Sequence, residues 1–151
     1  MNKDDYRLKS IDNGTAIDHI PKGKALQLVN VLEIGEEITF TMAVNVPSKR
    51  VGRKDIILIE GKELNEKEFA KIGLIAIGST INIVRNKKVI EKFTAKIPKE
   101  ANGIIKCNNP NCITNIEKIN TKFKINSSPL EAKCGYCERF MKEEEILKQI
   151  K

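Results

Sequence analysis

Cysteine is absent from this chain of 151 residues before Cys107, tryptophan is absent throughout, and there is a single histidine. Aromatic residues make up only 5% of the sequence. No apolar run approaches the roughly 20 residues that a membrane-spanning helix needs, and the first residues, MNKDDYRLKS, lack the apolar stretch of a signal peptide. These absences argue against a disulfide-stapled secreted protein and against a helical membrane protein. We therefore expect a cytoplasmic chain with reduced thiols and no membrane partner.

Groups that catalyse reactions are equally scarce. The sequence contains no G-x-x-x-x-G-K-[ST] phosphate loop, no G-x-G-x-x-G and no H-E-x-x-H motif. Its composition, 40% hydrophobic and 31% charged, is that of a globular protein, and its net charge of +7 permits an anionic partner. We expect a binding protein without catalytic residues.

The cysteines that are present form two pairs, C-x4-C and C-x2-C, namely Cys107 with Cys112 and Cys134 with Cys137. In a reducing compartment this spacing indicates four thiolates around one Zn²⁺ ion. Because no coordination position is left for water, the ion is expected to be structural. Gly135 is expected to provide the tight turn between the second pair.

Residues 1–97 alternate between strand and helix patterns. Strands are predicted at 6–11, 15–20, 38–46 (ended by Pro47), 54–60, 80–85 and 88–97, and helices at 24–32 and from Asn65 to about Ile72. Asn65 followed by Glu68 is typical of a capping box at a helix start. The order of these elements predicts an α+β fold, a ferredoxin-like α/β sandwich.

Residues 98–103 are expected to be a linker to a zinc-binding domain of residues 104–151. Short strands are predicted at 104–106, 122–125 and 130–133, and a terminal helix at 142–150. This pattern predicts a small all-β zinc ribbon, rubredoxin-like, with a terminal helix. Zinc ribbons bind either nucleic acid or protein, and the few aromatics near the cysteines favour protein.

The polar residues of the first domain allow two interpretations. In a regular strand, Asp18 and His19 point to opposite faces, so they do not form a catalytic dyad, and a solitary histidine is often a surface or cap residue. Two basic groups could converge on phosphates, although solvated charge also explains them. These groups are Lys49, Arg50, Arg53 and Lys54, and Arg85, Lys87, Lys88 and Lys92.

Five segments in order carry a resemblance that covers essentially the whole chain. They are GTAIDHIP (14–21), NVPS (45–48), GRKD (52–55), Cys107…Asn111-Cys112-Ile113 and Cys134…Tyr136-Cys137-Glu138. Together they resemble the regulatory chain of aspartate carbamoyltransferase, the first committed enzyme of pyrimidine synthesis in many prokaryotes.

The resemblance implies a non-catalytic allosteric subunit. Its N-terminal domain is expected to bind the nucleotide effectors CTP and UTP as inhibitors and ATP as activator, and to pair with a second regulatory chain. Its zinc domain is expected to dock on the catalytic chains through a surface that includes Asn111 and Glu138. Three regulatory dimers would then join two catalytic trimers.

The resemblance also implies the effector site. The residues that match its pocket are Ile11, Asp18, His19, Lys54, Asn82, Val89 and Lys92. Two positions depart from the expected pattern: Leu58 stands where a lysine is expected, and Lys87 where an aromatic is common. The missing lysine bears on the discrimination between CTP and ATP.

An alternative from a different class is a zinc-ribbon protein that binds nucleic acid, favoured only by the sequence pI near 9.2. It predicts retention on DNA or RNA with a steep salt dependence, a slope of about 0.9 per phosphate contact on duplex DNA. The resemblance predicts no nucleic-acid partner.

Overall fold

A computed structural model describes residues 10–151. The chain divides into two units, residues 1–96 and 97–151. Most of the predicted strand at 6–11 lies outside the described residues, and at its end Ile11 is buried.

Residues 10–96 of the first unit form one five-stranded antiparallel sheet and two helices. Its sheet has the order β2-β3-β1-β4-β5, so the strands β1 to β4 and the two helices follow the predicted ferredoxin-like arrangement, with β5 added at one edge. The elements are β1 (Gly14–Pro21), α1 (Ala25–Val31), β2 (Phe40–Ser48), β3 (Gly52–Glu60), α2 (Glu66–Ile75), β4 (Thr80–Arg85) and β5 (Lys88–Thr94).

Alternation along the central strands gives the sheet two different faces. On β3, Ile57 and Ile59 are fully buried and belong to the main core, to which α1 and α2 contribute Leu28 and Ile72. The intervening residues of β3 lie on the opposite face, which we call the open face. A second apolar cluster lies there, made of Ile11, Ala43, Val46, Ile56, Leu58 and Val84, with Ala16 packed against it.

The capping box that opens α2 is confirmed. Asn65 Oδ1 accepts a hydrogen bond from the Glu68 backbone N–H at 3.0 Å, and Glu68 Oε1 accepts one from the Asn65 N–H at 3.2 Å. The helix continues beyond the predicted end to Ile75.

The prediction that Pro47 ends its strand was wrong. Strand β2 continues to Ser48, and Pro47 pairs with Arg53 of β3. Strand β2 is an edge strand, and edge strands are where a sheet tolerates proline. The edge position follows from the sheet order and cannot be read from the local sequence.

The second unit contains a four-stranded antiparallel sheet of order β6-β7-β8-β9 and a terminal helix, as the predicted fold class requires. Phe123, Met141 and Ile146 are buried in its core. Its elements are β6 (Glu100–Asn102), α3 (Ile113–Ile116), β7 (Lys122–Ser127), β8 (Leu130–Cys134), β9 (Phe140–Lys142) and α4 (Glu143–Gln149).

Two segments of this unit differ from expectation. Residues 98–103, expected as linker, include β6, which pairs with β7. The predicted strand at 104–106 forms only an isolated bridge between Ile105 and Ile150. Among the described residues, no helix is both long and apolar enough to cross a membrane.

Candidate functional site

Strand β1 is irregular at the Asp18-His19 pair. Its register against β3 passes from Ile17 opposite Ile57 directly to Ile20 opposite Asp55, which is a β-bulge, and His19 has φ 55°. The expectation that the two side chains simply alternate between faces assumed a regular strand, and the bulge removes that assumption.

The bulge brings three of the expected site residues together. Lys54 Nζ lies 2.9 Å from Asp18 Oδ1. The same carboxylate oxygen accepts a hydrogen bond from the His19 backbone N–H at 2.6 Å. The His19 ring nitrogen Nδ1 lies 3.4 Å from the hydroxyl of Thr80, on the neighbouring strand β4. Thr80 was not expected, because only the pairing of β1 with β4 places it opposite Asp18.

Strand register places the other expected residues on the open face. Asn82 of β4 lies directly between Ala16 of β1 and Lys92 of β5, and directly opposed residues share a face of a sheet. Val89, which pairs with Val84, is 57% exposed on the outer strand. Ile11 belongs to the apolar cluster of this face.

A cavity of about 640 Å³ is lined in part by His19 and Arg53, the sequence neighbours of Asp18 and Lys54, and its described lining residues carry basic groups and no carboxylate. Arg50 and Arg53 belong to a basic group noted in the sequence, whereas no sequence pattern singled out Lys22. The lining residues are His19, Pro21, Lys22, Arg50, Val51, Gly52, Arg53, Ile77 and Gly78.

The electrostatics of His19 reflect this basic environment. Burial lowers the pKa of His19 below its usual value of 6.5, and the positive charges of Lys54, Arg50 and Lys92 lower it further, while Asp18 opposes the shift. His19 is therefore mainly neutral at pH 7 and can accept a proton when an anion arrives.

Leu58 occupies the position where a lysine was expected. It is 8% exposed, lies opposite Ala16 and belongs to the apolar cluster of the open face. The surface beside the Lys54 group is consequently more apolar than an ammonium group would make it.

The four cysteines of the second unit converge as predicted. Their sulfur atoms all lie within 4.8 Å of one another, with Cys107 and Cys137 3.6 Å apart and Cys112 and Cys134 3.8 Å apart. A tetrahedron of sulfurs about 2.3 Å from a metal has edges of about 3.8 Å. The cluster therefore fits one tetrahedral metal ion.

Polar groups around the cluster hold the ligands in place. The hydroxyl of Thr114 donates to Cys112 Sγ at 3.2 Å, and the Tyr136 backbone N–H donates to Cys134 Sγ at 3.5 Å. Such contacts orient thiolates and offset their charge. Burial raises the pKa of Cys107 to about 12, so the metal is what would hold this sulfur as a thiolate.

Gly135 lies in the turn between Cys134 and Cys137, as expected. In the segment around Cys134 and Cys137, Glu138 has positive φ, at 63°, and Gly135 does not. Gly135 also packs closely on β7, since a β-carbon there would lie 3.1 Å from the carbonyl oxygen of Lys122.

Two family models match the two units of the chain. The allosteric domain of the aspartate carbamoyltransferase regulatory chain matches residues 6–96, and the metal binding domain of the same chain matches residues 99–147. The chain belongs to the aspartate carbamoyltransferase regulatory chain family. Members of this family are regulatory and not catalytic subunits.

Curated relatives agree along nearly the whole length. The aspartate carbamoyltransferase regulatory chain of Pyrococcus horikoshii is 49% identical over 150 residues, which cover 97% of this chain and 99% of the relative. That of Methanocaldococcus jannaschii is 52% identical over 141 residues, covering 93% and 95%. The cysteine cluster thus lies in the metal binding domain of a regulatory chain, and the bulge of β1 lies in its allosteric domain.

Proposed function

We propose that this regulatory chain senses nucleotides through its first unit and communicates with the catalytic chains of aspartate carbamoyltransferase through its second. The effectors are CTP and UTP as inhibitors and ATP as activator. The observation that carries the first half is the Asp18, His19 and Lys54 group, of which His19 lines a basic cavity and Lys54 shares the open face of the sheet with the apolar cluster.

The basic residues suit the triphosphate of a nucleotide, and the open face suits its base. Lys54 is paired with Asp18, and a triphosphate brings more negative charge to this ammonium than one carboxylate does. Arg50 and Arg53 line the same cavity as His19, where further phosphate oxygens can bind. The open face offers apolar contact to a base, and the amide of Asn82 offers both a donor and an acceptor.

Calorimetry on the metal-loaded chain tests the sensor. We expect CTP and ATP to bind with micromolar-to-millimolar affinity, and Lys54→Met to weaken both by at least about tenfold, since a charge-assisted hydrogen bond contributes about 1.5–3 kcal/mol. Lys67→Met, at an exposed position of α2, is the matched control and should bind as the unmodified chain does. Absence of measurable binding by the unmodified chain contradicts the sensor role.

For the second unit we propose one structural Zn²⁺ ion held by Cys107, Cys112, Cys134 and Cys137. Four thiolates select a soft or borderline metal and leave no position for a substrate. Metal analysis of the purified chain should give one zinc per chain. A strong chelator should unfold residues 97–151 and leave the first unit folded, because each unit has its own core.

The surface beside the metal cluster is our candidate for docking on the catalytic chains. Asn111 and Glu138 adjoin the ligands in sequence, and Ile113 and Ile116 are exposed by 38% and 63% on the short helix that follows Cys112. Exposed apolar groups of this size mark an interaction surface when they cluster. Mixing the chain with catalytic trimers, with and without zinc, and following sedimentation should show zinc-dependent assembly.

Assembly also requires a second regulatory chain, so we propose that this chain forms a homodimer. We also propose that the complex is cytoplasmic. The functional readout is the aspartate saturation curve of the reconstituted complex, which nucleotides should shift. The coupling expected between two such sites is about 1–3 kcal/mol. Retention on DNA with a steep salt dependence would favour nucleic-acid binding instead, and a flat salt response removes that alternative.

A further inference from the structure

Two adjacent residues of β3, Lys54 and Asp55, lie on opposite faces of the sheet. Lys54 is half-buried and reaches Asp18 at the effector site. The next residue, Asp55, alternates with it and is fully buried on the same face as Ile57. A carboxylate in this position has lost its hydration and needs strong hydrogen bonds in return.

The hydrogen bonds of Asp55 join three separate segments. Asp55 Oδ1 accepts from the Asn45 backbone N–H of β2 at 2.8 Å. Asp55 Oδ2 accepts from the N–H groups of Gly23, in the turn after β1, and Ala25, at the start of α1, at 2.9 and 3.1 Å. The carboxylate therefore fixes β2, the β1–α1 turn and α1 against β3.

Both strands that flank Asp55 are bulged beside it. The β1 bulge ends at Ile20, opposite Asp55, and the β2 bulge ends at Val46, opposite Lys54. Each bulge contains a non-glycine residue in the left-handed region, His19 at φ 55° and Asn45 at φ 58°. Such conformations are strained by about 1–3 kcal/mol and persist only where neighbouring contacts hold them.

We propose that Asp55 is a positioning residue of the effector site, and that its carboxylate holds the two bulges that aim His19 and Lys54 at the phosphates of a bound nucleotide. This inference rests on the proposed nucleotide-binding function. Asp55 touches no ligand itself. It also links the open face to the start of α1 and to the edge strand β2. The effect of nucleotide binding at Lys54 therefore extends to α1 and to β2.

The test uses the full-length, metal-loaded chain with the substitution Asp55→Asn, which keeps the shape but replaces one accepting oxygen by an amino group. The control is Glu60→Gln, the same chemical change at the exposed end of β3. His19 is the only histidine, so its ring resonances form a single NMR probe of the β1 bulge. ATP affinity is measured by calorimetry.

We expect Asp55→Asn to move the His19 ring resonances without nucleotide and to raise the Kd for ATP at least tenfold, while Glu60→Gln changes neither. A folded Asp55→Asn chain with unchanged His19 resonances and a Kd within twofold of the unmodified chain overturns the proposal. Thermal unfolding of both variants separates this effect from a general loss of stability, which alone leaves the His19 resonances of the folded chain unchanged.

If Asp55→Asn does not fold, the unmodified chain provides the test. ATP saturation should then shift the amide resonances of Gly23, Ala25 and Asn45, although they lie around the carboxylate on the far side of β3. No shift of these amides, with shifts at His19, overturns the proposal. An unmodified chain that binds no nucleotide at all contradicts the proposed function. Where Asp55→Asn folds, the ligand-free His19 comparison decides the role of Asp55 separately from nucleotide binding.

Discussion

Gly73 of helix α2 lies directly against the backbone of Lys96, so closely that a β-carbon on Gly73 would be 1.9 Å from the carbonyl oxygen of Lys96. Non-bonded heavy atoms do not approach this closely, so any side chain here forces the helix and the end of the first unit apart. The glycine is therefore required for packing and not for an unusual backbone angle.

Gly73→Ala should destabilise the first unit by about 1–3 kcal/mol, the usual cost of overpacking, even though alanine favours helix formation. Urea unfolding followed by circular dichroism measures the change. Gly35→Ala is the control, because nothing lies within 4 Å of a β-carbon there and its φ is not in the left-handed region. Equal stability of the two variants would show that Lys96 moves aside without cost.

Leu58→Lys should shift the nucleotide preference towards pyrimidines. The ammonium would enter the open face beside Ala16, where it can donate to a ring carbonyl. Cytosine and uracil carry such an oxygen and adenine does not. We expect the ratio of ATP to CTP dissociation constants to rise about tenfold, equivalent to about 1.4 kcal/mol.

Leu58→Met is the matched control, since it keeps an apolar side chain of similar volume in the cluster. Competition calorimetry with both nucleotides on the three chains gives the ratios. An unchanged ratio in Leu58→Lys would mean that the base does not lie over this position.

The stability of the first unit should depend on pH through His19. Its pKa is lowered in the folded chain by burial and by Lys54, Arg50 and Lys92. In the unfolded chain a histidine titrates near 6.5, so below this pH the unfolded state binds a proton that the folded state does not. The contribution of His19 to stability is thus present above about pH 6.5 and is lost as the pH falls through 6.5 towards the folded pKa.

Urea unfolding between pH 7.5 and 5.5, compared with His19→Gln, isolates this dependence from the carboxylates. The unmodified chain should lose stability relative to the variant as the pH falls. A constant difference between the two chains across this range would show that the folded and unfolded pKa values are equal.

The features that short-range patterns determine could be predicted from the sequence. The capping box of Asn65 and Glu68 and the metal cluster of four cysteines depend on spacing alone, and both were predicted. The β1 bulge could not be read from the sequence, because a strand's register depends on its partners. The same applies to the pairing of Thr80 with Asp18 and to the edge position that admits Pro47.

The metal site allows a prediction that separates its outer contacts from its ligands. Thr114 is 5% exposed and donates its hydroxyl to Cys112 Sγ at 3.2 Å. Thr114→Val keeps the shape and removes the donor, so the sulfur loses a hydrogen bond that offsets its charge as a thiolate. Metal affinity should fall by about 10- to 100-fold, the usual effect of losing such a partner.

Thr114→Ser, which retains the hydroxyl, should bind zinc within a few-fold of the unmodified chain. Competition with a chromogenic chelator measures the affinity, and the amide resonances of residues 97–151 report whether the second unit stays folded. If both variants weaken zinc binding equally, the hydroxyl hydrogen bond does not decide the affinity. A loss confined to Thr114→Val assigns the effect to the hydroxyl.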